Sequence, residues 1–573
     1  MHDIVIRGGN LVDGTGQSAF SGDLAIDQGI ITQVGGKAGA ARREIDATGS
    51  LVAPGWVDIH THYDGQATWD PYLSPSTWHG VTTAIMGNCG VGFAPVRPQD
   101  RDWLIRVMEG VEDIPGAVLS EGIQWDWESF PDYLDALARR PKALDIGAQI
   151  PHAAVRTYVM GERGVHHDEA TPQDIQAMCD IVRDGLRAGA VGFTTSRTFL
   201  HKYEGRKYPP GTFATIAEIS ALGGVMGEVG HGVFQMTSNH ISMDVEVRWM
   251  RKLAEQNRLP VLFNLQQTDG APDLWKDIMT QLDDARRHGA PLYGGISGRP
   301  LGLLFSWETS LHPFIASHAY AALADLPFDE RIARLRDPAV RERILSGPRS
   351  PVDKSLEQMF THFSRIYALG EQPQYEPEAS QSVAAIAERT GQDPLGVVYD
   401  MMLAQSGRAI LYYPTFNYSY NDISHLHQML QHPSTVNSLA DGGAHCGYIC
   451  DVSMPTFMLT HWTRDRTRGP RLGLEAMVRR QTWDTARLYG LNDRGALQVG
   501  LKADVNVIDY DRLALHAPYM KHDLPAGGRR LVQEADGYQA TLVAGVPIFE
   551  NKQATGDLPG QLVRAGAAAG VRA

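Results

Sequence analysis

Residues 54–62 read Pro54-Gly55-Trp56-Val57-Asp58-Ile59-His60-Thr61-His62: a turn dipeptide, an apolar run, and two histidines spaced i and i+2. In extended backbone alternate side chains share a face, so a strand here carries both imidazoles side by side, near enough to converge on one cation. Two surface histidines at a strand end have the same appearance, and a bare His-x-His does not choose between the two readings. The choice comes from the rest of the chain.

Downstream, strand-like and helix-like segments alternate, which predicts βα units around a parallel sheet or barrel. A helix is expected from Thr171, with Pro172 at its first position, Ile175, Met178, Val182 and Leu186 at helical spacing, and Gly189 as its stop. Val191-Gly192-Phe193-Thr194-Thr195 follows as a buried strand. Thr215-Ile216-Ala217-Glu218 announces another helix by its capping-box pattern, and Gly232-Val233-Phe234-Gln235 resumes strand character. The cycle repeats through Val245 to Gln256 and Leu259-Pro260-Val261-Leu262-Phe263.

The two ends differ from this middle. Ile4-Val5-Ile6, Leu24-Ala25-Ile26 and Ile30-Ile31 are short apolar runs punctuated by Gly and Asp. Val505-Asn506-Val507-Ile508 and a hairpin turning at Ala544-Gly545 repeat that texture near the C-terminus. The expected organisation is a β-sandwich domain from 1–54 and 485–553, a barrel over 55–484 with an insertion at about 305–375, and a Gly/Ala-rich tail at 554–573 that frays or lies along the surface.

Composition narrows the function classes. Lys+Arg 52 against Asp+Glu 66 leaves a net charge of −14, which disfavours nucleic acid and anionic lipid as partners. Four cysteines in 573 residues make no disulfide scaffold and fit a reducing compartment. No apolar run reaches membrane-spanning length, and a cytoplasmic protein is expected.

On these residues the chain resembles the amidohydrolase superfamily. The 54–62 segment looks like that superfamily's first barrel strand, and Gly500-Leu501-Lys502-Ala503-Asp504 resembles its returning sandwich strand. Tyr63-Asp64 and Gly87-Asn88-Cys89-Gly90 narrow the resemblance to the N-acyl-D-amino-acid deacylase (D-aminoacylase) branch. The resemblance implies an α/β fold, a (β/α)8 TIM-type barrel with a small β-sandwich formed by the N- and C-terminal segments. It also implies His60, His62, Cys89 and Asp441 as metal ligands, with Asp441 as the proton-transferring carboxylate. Zinc is the expected ion, as one or two cations, because imidazole and thiolate suit it. His152 resembles a third-strand histidine of the branch. With Tyr63, Asp64 and Arg299 it is expected to line the substrate site, Arg299 holding a carboxylate bidentately.

The chain departs from the branch on the fifth and sixth strands, read as 232–238 and 261–267, where the expected histidines are missing. His231 and His240 flank the former, and Lys202 follows the fourth strand in a loop rather than serving as a bridging carbamate. His445, four residues past Asp441, stands at the pocket mouth, whereas Cys446 and Cys450 are expected to be packed and reduced. The expected activity is metal-dependent hydrolysis of the amide of an N-acyl amino acid, of D configuration as the resemblance implies, in a homo-oligomer. The alternatives are hydrolysis of another amide, cyclic amide or carbamate, and a noncatalytic relative lacking full metal ligation.

Overall fold

Pro54-Gly55 is where the chain passes from one domain to the other. Leu51–Pro54 pairs antiparallel with Val505–Ile508 in the terminal sheet, and Gly55 N donates to Asp504 O at 2.8 Å. A Cβ on Gly55 would sit 2.2 Å from Thr82 Oγ1, so only glycine lets the backbone pass. The computed structural model describes residues 1–204 and 207–566.

Eight parallel strands form the barrel sheet: β1 (Trp56–Thr61), β2 (Val81–Met86), β3 (Asp145–Pro151), β4 (Gly192–Ser196), β5 (Val233–Thr237), β6 (Val261–Asn264), β7 (Leu292–Ile296) and β8 (Thr435–Asn437). Each pairs with its neighbour in sequence order from β1 to β8. The cylinder is drawn shut just beyond β8, where Asp441 N donates to His60 O (3.1 Å) and His62 N to Gly442 O (2.7 Å). This is the expected (β/α)8 barrel. Val57, Ile59, Ile85, Val233, Leu262 and Val436 make a buried apolar cluster drawn from strands around the cylinder, packed against Tyr489 and Leu491.

The helices follow their sequence signals. Pro172–Arg187 opens with a reciprocal capping box between Thr171 and Asp174. Ile216–Val229 is capped by Thr215, which accepts from Glu218 N, but the box is one-sided. The Glu218 carboxylate is engaged by His152 at 3.0 Å instead. No helix among the described residues is long and apolar enough to cross a membrane.

The terminal strands join in one nine-stranded sheet in which Leu51–Pro54 and Val505–Ile508 bring the N- and C-terminal sets together. Ile4, Ile6, Leu24, Ile26, Val52, Val505, Val507 and Leu542 form its core. Ala544 and Gly545 turn the last hairpin at φ +49° and +75°, which matches the right-handed twist of the flanking strands. Near the expected boundary at 484, helix Trp483–Leu488 packs under the barrel and Leu497 enters the terminal core.

The expected insertion at about 305–375 shares a core with residues on either side of it. Gly302–Phe305, Tyr367–Ala368 and Leu411–Pro414 form an antiparallel sheet, and helices Phe328–Leu335, Pro338–Ser346, Val383–Thr390 and Pro394–Met402 enclose a separate core with it. The helices after 375 resemble barrel helices in texture, which hid their membership. Of the 554–573 tail, residues 559–565 lie against β3, with Val563 N donating to Ile146 O at 2.7 Å and Gln561 N to Asp145 Oδ1 at 2.8 Å. Residues 567–573 lie outside the described residues.

The insertion is pinned to the barrel by a buried charge. Glu376 accepts from Arg466 Nε and Nη2, both at 3.1 Å, and faces His461 Nε2 at 3.1 Å. Burial pushes the Glu376 pKa up, but the hydrogen bonds from His461 and Arg466 prevail and hold it at about 2. A depressed carboxyl stabilises the fold above its unfolded pKa and loses that contribution as pH falls through the folded value. Glu376→Gln is expected to cost about 3 kcal/mol at pH 7 by stranding Arg466. The gap to wild type should narrow as the pH is lowered from 4.5 toward 2, read from urea unfolding midpoints.

Candidate metal centre

The histidines stand where β1 ends, their ring centroids 5.5 Å apart and edge to face. Cys89 reaches them from a single turn after β2, Asn88–Gly90, with its own backbone left-handed at φ +57°. The glycines beside it are dictated by space: a Cβ on Gly87 would lie 2.4 Å from Gln149 O, and one on Gly90 2.9 Å from Thr195 Cα. Asn88 Nδ2 donates to Thr61 O (3.1 Å) and Ile85 O (3.0 Å), tying the turn to both strands. Cys89 Sγ then lies 3.4 Å from His60 Nε2, and the ligand atoms of His60, His62 and Cys89 all fall within 4.8 Å of one another.

Asp441 arrives from the opposite side of the closing seam. Its backbone is left-handed, φ +50°, and its Oδ1 lies 3.3 Å from His60 Nε2 and 3.8 Å from His62 Nε2. Tyr63 and Asp64 support the frame from behind. Tyr63 Oη is 2.6 Å from Ser76 Oγ and packs against Gly442 and Gly443, while Asp64 accepts from Gly87 N at 3.2 Å. Both side chains are buried, so they steady the loops that carry Asp441 and Cys89.

Glu112 and His201, which carry no motif in the sequence, also converge here, beside His445. Glu112 is the last residue of helix Arg101–Glu112, and its Oε2 lies 3.4 Å from His62 Nε2 and 3.7 Å from His445 Nε2. Its backbone carbonyl accepts from His445 N at 2.5 Å. Cys89, Glu112 and His201 form a second group whose ligand atoms lie within 4.8 Å of one another. A lone acidic residue at a helix C-terminus carries no motif, but its unfavourable position against the helix dipole was a readable signal.

Burial governs the charge states. It pushes the His60 pKa down to about 3, with His201 and His445 adding to the effect, and holds His62 well below its ordinary value. His201 is held at about 3 and His445 at about 4 for the same reason. Burial raises Cys89, Glu112 and Asp441 well above their ordinary values. The pocket therefore holds neutral imidazoles with free lone pairs beside acids whose ionisation needs a nearby positive charge. Among the described residues His60 Nδ1, both ring nitrogens of His62 and Glu112 Oε1 are buried without hydrogen-bond partners. Orphaned N and O donors around a thiol fit a zinc-like ion.

Two expected substrate contacts are engaged elsewhere. His152 uses both nitrogens, Nδ1 with Thr195 Oγ1 (2.8 Å) and Nε2 with Glu218 Oε1 (3.0 Å), and so ties β3 to β4 and the following helix. Arg299 is fully buried, donates to Cys450 O (2.7 Å), Asp451 Oδ1 (3.0 Å) and Ser453 Oγ (3.0 Å), and stacks 3.8 Å over Tyr375. Its fork is thus paired with the loop after Asp441. Cys446 and Cys450 are buried free thiols.

Known proteins share this framework. The model of the amidohydrolase family matches residues 43–549. D-aminoacylase of Alcaligenes xylosoxydans xylosoxydans is 25% identical over 98% of this chain and 97% of its own. N-acyl-D-aspartate deacylase of the same organism is 27% identical over 98% and 95%. The solved structure of N-acyl-D-glutamate deacylase from Bordetella bronchiseptica, complexed with zinc and a phosphonate inhibitor, superposes with a TM-score of 0.64 at 25% identity, covering 98% of this chain and all of that one.

The structural role of Arg299 separates from a binding role by experiment. Arg299→Met is expected to lower unfolding free energy by about 3–5 kcal/mol, because Asp451 is left buried and unpaired. Denaturant titration reads the loss; a variant of unchanged stability would return Arg299 to the substrate site.

Proposed function

The chain belongs to the amidohydrolase family, and from that premise we propose that it hydrolyses the amide bond of N-acyl-D-amino acids with His60, His62, Cys89 and Asp441 around a zinc ion. The family makes it a metal-dependent hydrolase of C–N bonds in small amides. The choice of substrate is supported by the deacylase relatives that align end to end. The observation that carries the site assignment is the convergence of imidazole, thiol and carboxylate atoms at the barrel's closing seam.

A cation held by these residues supplies Lewis acidity, making water a better nucleophile, polarising the amide carbonyl and favouring ionised Asp441. The neutral imidazoles of His60 and His62 donate lone pairs, and their burial keeps protons from competing for them. Asp441 accepts a proton from the attacking water as the C–O bond forms, and delivers it to the nitrogen as the C–N bond breaks. The products are a carboxylic acid and a free amine, with one water consumed. Gly442 and Gly443 leave room for Tyr63 behind the carboxylate and so fix where it points. Four buried, unpaired cysteines support a reducing, cytoplasmic setting.

A panel of N-acyl amino acids in both configurations, assayed with and without a chelator, tests this reading. Chelator-sensitive turnover of D-configured substrates is expected, and Asp441→Asn should lower kcat by roughly 10²–10⁴-fold. Turnover that survives complete metal removal, or an Asp441→Asn variant of full activity, would overturn it. Gly443→Ala should cost about 10²-fold in kcat/KM. Its Cβ would meet His62 O and Tyr63 Cδ1 at 2.8 Å in a backbone held at φ +92°, displacing Asp441 without removing it.

A further inference from the structure

Cys89 belongs to two ligand triads: one with His60 and His62, the other with Glu112 and His201. From this we infer that the chain has a second cation position built from Cys89, Glu112 and His201, with the Cys89 thiolate shared between the two ions. The inference rests on the proposed metal site and adds to it a position supplied by loops instead of by histidines of β5 and β6.

The strands that would ordinarily be asked for ligands carry no histidine, cysteine or carboxylate: their polar side chains are Gln235 and Thr237 on β5 and Asn264 on β6, and Gln235 Nε2 donates to Asn264 Oδ1 at 3.3 Å. The missing donors come instead from neighbouring βα connections. Glu112 is supplied by the helix between β2 and β3, where Asp113 turns the chain at φ +51°. His201 comes from the segment after β4, its Nδ1 3.4 Å from Ser196 Oγ at the strand end, a contact that orients the ring.

Glu112 is the observation that most requires a ligand. Its side chain is 1% exposed and Oε1 has no hydrogen-bond partner among the described residues. Among the described residues no lysine or arginine forms an ion pair with it; its near neighbours are His62 and His445. A carboxylate so placed is costly unless a positive charge faces it. A carboxylate, an imidazole and a thiolate form a donor set suited to zinc or cobalt(II) rather than magnesium or calcium. His445, whose Nδ1 is also buried and without a hydrogen-bond partner among the described residues, has its Nε2 3.7 Å from Glu112 Oε2, close enough to serve as a further donor.

The test uses the whole chain stripped of metal and reloaded with zinc or cobalt(II). Wild type is expected to bind two ions per chain by elemental analysis, and Glu112→Gln and His201→Asn one each. In cobalt titrations the thiolate-to-metal absorption should change with both the first and the second equivalent, since one sulfur serves both ions. That measurement needs no variant and decides the matter even where a substitution impairs folding. A wild type that saturates at one ion overturns the second position and leaves the proposed function standing. So do variants that keep two ions, or that stay folded and lose both. A chain that binds no ion at all overturns both readings.

Discussion

The structure depends on a pair of backbone hydrogen bonds, Asp441 N to His60 O and His62 N to Gly442 O. β8 ends at Asn437, and it is the segment beyond it that joins the last strand to the first. Three of the four residues that draw the cylinder shut, His60, His62 and Asp441, also meet through their side chains in the pocket. Closing the barrel therefore also brings the side chains of His60, His62 and Asp441 together. The left-handed backbone at Asp441 and the side-chain-free Gly442 and Gly443 are what the seam demands, because Tyr63 and the His62 carbonyl fill the space behind.

The pocket holds a collection of groups that would be poor neighbours without an ion. Each buried donor or acceptor lacking a partner costs about 1–3 kcal/mol, and several occur within one small region. The surrounding fold bears that cost through its supports: the Asn88 bonds that tie the cysteine turn to the strands, the Tyr63 contact with Ser76, and the Arg299 fork that fixes the loop past Asp441. The apolar cluster lower in the cylinder, with Tyr489 and Leu491 against it, stabilises the strands that carry the site.

How much of this the sequence discloses depends on how local each signal is. His60, His62, Cys89 and Asp441 sit in short motifs with strand or turn punctuation, and the structure gathers them together. Glu112 and His201 have no such marking, since each is brought in by the end of a helix or by a loop whose path only packing determines. For Arg299 the sequence shows a guanidinium's charge and not the Asp451 and Tyr375 that engage it. For His152 the sequence does not show its partner: Glu218, which reads as the end of a capping box, faces its ring instead. The barrel rhythm was plain from alternating segments. The full span of the insertion was not, because its later helices have the same periodicity as those of the barrel.

Leu51–Pro54 and Val505–Ile508 are adjacent in one sheet although most of the chain separates them. During synthesis at about 5–20 residues per second, the early strand waits on the order of tens of seconds for the late one to emerge. The barrel's strands can pair in that interval in the order they are made, each beside its predecessor. The domain that comes first off the ribosome is thus the last to be completed, and truncation near the C-terminus would leave a bare strand edge at the N-terminus.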